Sequence, residues 1–437
     1  MLKFKRETNF KQTEIGKVPR DWGIEKLERL CEITSSKRVY FKEYVSFGIP
    51  FYRGKEIILL SKGENIVNPL YISFEKYKEL KNKYGVPQAG DLLLSAIGTI
   101  GYIYRVRKSD KFYFKDGNIL WIKNFVKRTN SLYLKYVLPL MLKIQELTIG
   151  SSQEALTIDK LKDLITLLPP PPEQSRIATV LSWFDDLIEN KKRQNEILEK
   201  TAMAIFKSWF VDFEPFKNEE FIYSEELNRE VPKGWEVKLI GEVAKFVKGL
   251  SYRSNELVDN PTEGEIFITL KIFERGGGFR PEYKYYKGNR YSNEQVVYDG
   301  DLVVALTDMT HDAKVVGAPA LVILPPNKDK GIVSLDAAKL NIPQLMKEYV
   351  YLYLRDSQEE NSTFANGVNV LHLNLELFKT GKYILIPPQP ILEKFHHLVE
   401  PLFQKITLNQ KQIMVLRKIK DALLPQLVFG KLRVEEI

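Results

Sequence analysis

The chain has 437 residues, 44% apolar and 28% charged, too many for one ordinary core, so two or three ordered domains are expected. Its single cysteine, Cys31, excludes an internal disulfide framework and a cysteine-rich zinc module. The net charge of +9 is uneven: residues 1–168 hold 30 Lys+Arg against 18 Asp+Glu, a surplus of 12, whereas residues 217–386 hold 21 against 25, a deficit of 4. A basic first third points to a polyanionic partner, and the acidic later section argues against indiscriminate coating of DNA. No apolar run approaches the ~20 residues that span a bilayer. The opening MLKFKRETNF has no apolar leader region, so no membrane is expected and the cytoplasm is the expected compartment.

In chain order, the first feature is VPRDW at Val18–Trp22, whose Trp22 is expected to anchor the edge of a core. Polar, basic and aromatic residues follow near turns: Ser35, Ser36, Lys37, Arg38 and Tyr40, then Arg53 and Lys55. Asp91–Ile97, Gly101–Val106 and Leu120–Ile122 read as strands. Gly98 and Gly101 allow a tight turn beside Ser95, Thr99, Arg105 and Arg107. Ser131–Glu146 reads as a helix, and Ser151, Ser152 and Gln153 as a polar loop. LPPPPEQ at Leu168 opens a long helical stretch. VPKGW at Val231–Trp235 then repeats the opening, followed by Lys248, Tyr252 and Arg253, and by Lys271 and Arg275. Leu302–Leu306 and Ala320–Leu324 read as strands, Pro343–Asp356 as a helix. Thr307, Asp308, Thr310 and His311, then Asn366, Asn369 and His372, form further polar zones. IPPQPILE at Ile386 opens a second long helical stretch.

Three echoes therefore recur in the same order: VPRDW with VPKGW, AGDLLLS (Ala89–Ser95) with DGDLVVA (Asp299–Ala305), and LPPPPEQ with IPPQPILE. The chain reads as two copies of one unit: a variable mixed α/β (α+β) head, then prolines, then a long helix. The expected division is head 1–168, helix 169–216, head 217–386, helix 387–437. Prolines are tolerated where each helix begins, but Pro401 is expected to kink the second helix or to mark its true start, and Pro425 to end its regular part.

Both helices carry steps of four and three: Ile177, Leu181, Phe184, Ile188, Lys191, Asn195, Leu198, Ala202, Ile205 and Trp209 in the first; Phe395, Val399, Leu402, Ile406, Asn409, Ile413, Leu416, Lys420, Leu423 and Leu427 in the second. Such spacing over more than four heptads is a coiled-coil seam, and Lys191, Asn195 and Asn409 near its middle penalise slipped registers. A tandem repeat imitates a two-fold dimer, so the helices are expected to pair antiparallel and hold two related heads apart. The alternative is that each helix packs on its own head.

The polar zones carry residue types suited to DNA: Arg and Lys for guanine edges and phosphates, Asn and Gln for adenine, Ser and Thr for either. Catalytic chemistry is not legible. Gly276–Gly278 lacks the strand-to-helix frame of a nucleotide loop and reads as a turn. The adjacent His396 and His397 point to different helix faces, so no metal site is expected. No nucleophile elbow or amino-methyltransferase Pro-Pro signature occurs. Asp185, Asp186 and Glu189 read as a solvated or partner-facing helix face. The chain alone is expected to be no enzyme. A DNA-sequence reader and a two-headed protein-interaction scaffold without nucleic-acid binding are the main alternatives, and a methyltransferase with unrecognised motifs is a third.

LPPPPEQSRIATVLSWFDDLIENKKRQNEILEKTAMAIFKSWFVDFEPF, Leu168 to Phe216, resembles the repeat of the specificity subunits of type I restriction–modification systems, above all in FKSWFVDFEPF. The second copy, ending DALLPQLVFGKL, matches more loosely, with Leu392 where Gln174 sets the expectation of a glutamine. The resemblance implies two target-recognition domains. Each would read one half of a split, asymmetric target in double-stranded DNA, on an antiparallel helix pair that sets the unread gap. It also implies two docked modification subunits that methylate adenine with S-adenosylmethionine, and restriction subunits that use ATP and Mg; no cofactor is expected on this chain.

Overall fold

The computed structural model describes residues 3–145, 155–309 and 312–436. It divides into two compact units, Met1–Glu189 with Leu416–Ile437, and Asn190–Val415. In the first unit a four-stranded antiparallel sheet runs in the order Glu32–Thr34, Ile119–Lys123, Leu92–Ser95, Ile103–Arg105. A second sheet orders Tyr44–Val45, Leu70–Ile72, Ile49–Tyr52 and Tyr113–Phe114, and its last pair is parallel.

The second unit repeats both. Lys245–Lys248, Ala337–Asn341, Leu302–Ala305 and Pro319–Leu321 form the antiparallel sheet. Leu257–Val258, Lys284–Tyr286, Glu265–Ile268, Gly331–Val333 and Val296–Val297 form the mixed one, with 265–268 and 331–333 as its parallel pair. The AGDLLLS and DGDLVVA echoes thus supply the same strand of the same sheet.

The reason lies in their turns. Gly90 and Gly300 sit at φ 98° and 80°, a left-handed conformation that costs glycine little. Asp91 and Asp301 then accept the backbone N–H of Gln88 (2.8 Å) and Tyr298 (2.9 Å). The second partner differs: the Trp121 indole donates to Asp91 (2.8 Å), whereas Lys339, at the matching register position, pairs with Asp301 (2.8 Å). Burial raises the Asp91 carboxyl, which that indole and the Gln88 N–H partly offset.

The long helices are Pro171–Phe206 and Gln389–Val428, 36 and 40 residues, or ~54 and ~60 Å at 1.5 Å per residue. The second begins ahead of Pro401 and runs through both Pro401 and Pro425, so neither proline bounds it. In the second unit Lys191 meets Gln412, and Asn409 donates to the side chains of Asn195 (2.9 Å) and Gln194 (3.3 Å). In the first unit Lys420 meets Asp185, and Arg176 donates to the Val434 carbonyl (2.6 Å). In the second unit partner numbers fall as helix numbers rise, so the helices pair antiparallel there.

The predicted seam positions are buried or half-buried throughout, and many of them pack on a head as well as on the other helix. Ile177, Leu181 and Leu427 lie in the first unit's core with Tyr133 and Val137, and Phe184 and Leu423 pack against it. Phe395, Val399 and Ile406 lie in the second unit's core with Tyr349 and Tyr351, and Leu198, Ile205, Trp209 and Leu402 pack against it. A 3-4 stripe asks only for an apolar neighbour, so the spacing did not distinguish a partner helix from a head.

The repeated tryptophans anchor differently. Trp22 is fully buried and its indole donates to Glu173 (2.9 Å). Trp235 is enclosed instead by Phe210, Phe213 and Phe216, the last two edge-on at 5.5 and 5.1 Å. Gln174 is fully buried, bonding Asn130 N–H (2.8 Å) and the carbonyls of Arg128 (2.9 Å) and Pro169 (2.8 Å). Leu392, at the matching place, joins an apolar core.

Candidate nucleic-acid interface

In the second unit a small sheet joins Thr307–Asp308, Leu371–Leu373 and Ala365–Asn366. His372 pairs across strands with both Thr307 and Asn366, so three predicted residues meet. Asn366, Asn369 and His372 are exposed. Thr307 is buried and donates to Asp336 (3.1 Å), which the Tyr252 hydroxyl also approaches (3.5 Å). Asp336 escaped the sequence reading because no motif surrounds it.

Asp308 does not belong among the base readers. It is buried and accepts the backbone N–H groups of Val315 (2.7 Å) and Val316 (3.2 Å), so it shapes the loop. Lys248, Arg253 and Lys271 are exposed, and Arg275 pairs with Asp312. Thr310 and His311 lie outside the described residues.

In the first unit Lys37 is exposed with its ammonium 5.3 Å from the Tyr84 ring, and Arg38 pairs with Asp116 (3.0 Å). Tyr40, Lys55 and Thr99 are exposed. Three predicted residues are committed within the fold. Ser95 is fully buried, donating to the Thr99 carbonyl (2.7 Å) and accepting Tyr102 N–H (3.0 Å), which builds the turn. Arg53 is held by Glu56 (2.7 Å) at the start of the helix Gly54–Ser61. Arg107 grips Glu189 on the first long helix through two bonds (3.0 and 2.8 Å). Arg105 is half-buried and donates to Ser131 (3.2 Å). Ser151, Ser152 and Gln153 lie outside the described residues.

The sequence reading also passed over a row of exposed rings. Phe41 and Phe47 are 87% and 77% exposed, Phe47 meets Phe74 edge-on at 6.2 Å, and Phe74 and Tyr84 are exposed at the two ends of the lysine-rich helix Phe74–Tyr84. Lys111 lies 5.9 and 5.8 Å from the Phe74 and Tyr77 rings. Rings with interleaved lysines suit bases and phosphates; alternating FEKYKELKNKY was the available signal.

Of the carboxylates on the first long helix, Asp186 and Glu189 are exposed, as expected of a solvated face, whereas Asp185 is not. Asp185 accepts from Lys135 (2.9 Å) and Tyr136 (2.8 Å) and pairs with Lys420. Burial alone would raise its pKa, but the Lys135 and Lys420 charges hold it below the ordinary value. His396 bonds Glu348 (2.8 Å) as a buried tie between helix and head. Among the described residues no group of three or more His, Cys, Asp or Glu side chains is placed to hold a metal, and no helix is long and apolar enough to cross a membrane.

Residues 19–200 match the model of the type I restriction modification DNA specificity domain. Over 451 aligned residues the chain is 37% identical to the type I restriction enzyme MjaIX specificity subunit of Methanocaldococcus jannaschii, covering 100% of this chain and 99% of that one. A putative type I restriction enzyme specificity subunit of Haemophilus influenzae is 35% identical over 183 residues, covering 41% of this chain and 42% of the other. The fold is similar to the crystal structure of the type I restriction–modification S subunit from M. genitalium, with a TM-score of 0.55 and 16% identity over 93% of this chain and 96% of that one.

Proposed function

Since the chain belongs to the family of type I restriction enzyme specificity subunits, we propose that it is the noncatalytic, DNA-sequence-reading member of such an enzyme, each head reading one half of a split target. The observation that carries the reading is the shared topology of two heads whose polar surfaces differ in residue type. One scaffold presented twice suits two half-sites, and unlike side chains make the joint target asymmetric. Family membership argues against the scaffold blind to nucleic acid.

The helix pair sets the gap between half-sites and docks two modification subunits. Trp183, Leu187 and Ile197 on the first helix and Leu398, Leu408, Val415 and Ile419 on the second are exposed apolar residues, the kind of surface a partner covers. S-adenosylmethionine, and ATP with Mg where a restriction subunit joins, bind those partners rather than this chain. The complex works in the cytoplasm, where its DNA is.

The test is the map of methylated adenines in cells expressing the chain with its modification subunit. A split, non-palindromic motif is expected. Removing one heptad from each long helix takes away ~10 Å of rod, about three base-pair steps, and should shorten the gap without changing either half. A continuous or palindromic motif would count against the reading.

A further inference from the structure

The two heads can be laid on each other residue by residue through their hydrogen bonds. Ala96 N–H donates to the Asn118 carbonyl (2.9 Å), and Leu306 N–H to the Asp336 carbonyl (2.7 Å). Each acceptor immediately precedes the long strand of its antiparallel sheet, Ile119–Lys123 or Ala337–Asn341. Tyr40 N–H donates to Glu43 and Arg253 N–H to Glu256 (2.8 and 2.7 Å), so the two heads also share a capped turn. Asn118 and Asp336 therefore occupy one position of a shared scaffold, and both are half-exposed.

Their side chains have capacity to spare. The Asn118 amide has no hydrogen-bond partner among the described residues. Asp336 accepts from Thr307 (3.1 Å) and, at the long distance of 3.5 Å, from Tyr252 and Ser334. Two carboxylate oxygens offer about four acceptor sites, so Asp336 can take a further donor. The turn that carries Asp336 exposes Leu335, and the sheet containing its partner Thr307 continues into exposed Met309 and Val368. In the first head, Arg38 pairs with Asp116 in the turn that carries Asn118.

We propose that Asn118 and Asp336 are matched specificity-determining residues, Asn118 selecting adenine in one half-site and Asp336 selecting cytosine in the other. The inference rests on the DNA-reading function proposed above. Its chemistry is the major-groove code: an amide both accepts from adenine N6 and donates to N7, whereas a carboxylate only accepts and suits the cytosine N4 amine.

The experiment exchanges the two groups, which are nearly equal in shape: Asn118→Asp and Asp336→Asn in the full chain, each assembled with its modification subunits. Methylated motifs are then mapped, and methylation rates are measured on duplexes carrying every base at each recognised position. Asn118→Asp should move the preference from adenine to cytosine at one position of one half-site, by on the order of 10- to 100-fold. Asp336→Asn should do the reverse at one position of the other half. Asn118→Ala and Asp336→Ala should relax the same two positions.

An unchanged motif overturns the proposal. So does a change in both halves from one variant, or a loss spread evenly over all duplexes, including complete loss in all four variants. If the unaltered chain gives no split motif, the underlying DNA-reading function fails instead.

Discussion

Arg433 donates to Glu7 (2.7 Å), to Asp21 (3.1 and 2.8 Å) and to Glu173 (2.6 Å), with its guanidinium 5.6 Å from the Trp22 ring. Glu173 is buried, so this cation is what permits a carboxylate beneath the tryptophan. Arg433→Ala would strand that charge and is expected to cost about 3 kcal/mol or more, read as a lower denaturant midpoint for the first unit. The cluster also sets an acid limit. Its hydrogen bond to Arg433 holds Asp21 below the ordinary carboxylate value, and the Asn9 and Thr8 N–H groups do the same for Glu7. Groups with depressed folded values add stability above their unfolded pKa and lose it as pH falls through the folded one. The strand pair Lys3–Arg6 with Leu432–Glu436 should therefore loosen below about pH 4, seen as faster amide exchange, while neutral pH leaves it intact. Cys31 is the opposite kind of residue. Burial pushes its thiol up to about 12, so a thiol reagent at pH 8 should label it only after denaturation.

At the scale of the helix, the polar layer of Lys191, Gln194, Asn195, Asn409 and Gln412 interrupts an apolar stripe. Asn409 is fully buried and its side-chain oxygen finds no partner. Such a layer lowers stability and restricts register. Replacing its two asparagines through Asn195→Leu with Asn409→Leu should raise the denaturant midpoint, by roughly 1–3 kcal/mol in stability. Lower stability would mean that the layer is a net stabiliser, and unchanged stability that it costs nothing; either counts against the expectation. The helices themselves were legible from their spacing, because a 3.6-residue period is a local property. Their packing was not: Ile177 and Phe395 carry the same stripe as Ile413, yet the first two enter head cores.

For the whole molecule, charge separates two heads that share a topology. The basic surplus in residues 1–168 and the deficit in residues 217–386 place the long-range attraction for phosphate in the first head. Lys37, Lys55 and Lys111 are exposed there. Changing all three to Gln should weaken DNA binding uniformly across sequences and flatten its salt dependence, by up to ~0.9 in log–log slope for each lysine that meets a phosphate. Removing Lys248 and Lys271 from the second head should change the slope less per lysine. Equal effects per lysine in the two sets would mean that net charge does not divide the labour.

The sequence by itself determined the duplicated plan, the strands after Gly90 and Gly300, the two long helices and the family, since repeats, turn residues and periodicity are carried by near neighbours along the chain. Tertiary structure decided which polar residues remain available. Ser95, Thr307, Asp308, Arg53 and Arg107 look as ready to touch DNA as Asn366 or Lys55, but the folded chain buries or binds them, through partners as near as Glu56 for Arg53 and as far as Glu189 for Arg107. Asn118 and Asp336 stand in no shared motif. They become equivalent only when strand pairing sets the register, because a hydrogen-bonded sheet aligns residues by position and not by type.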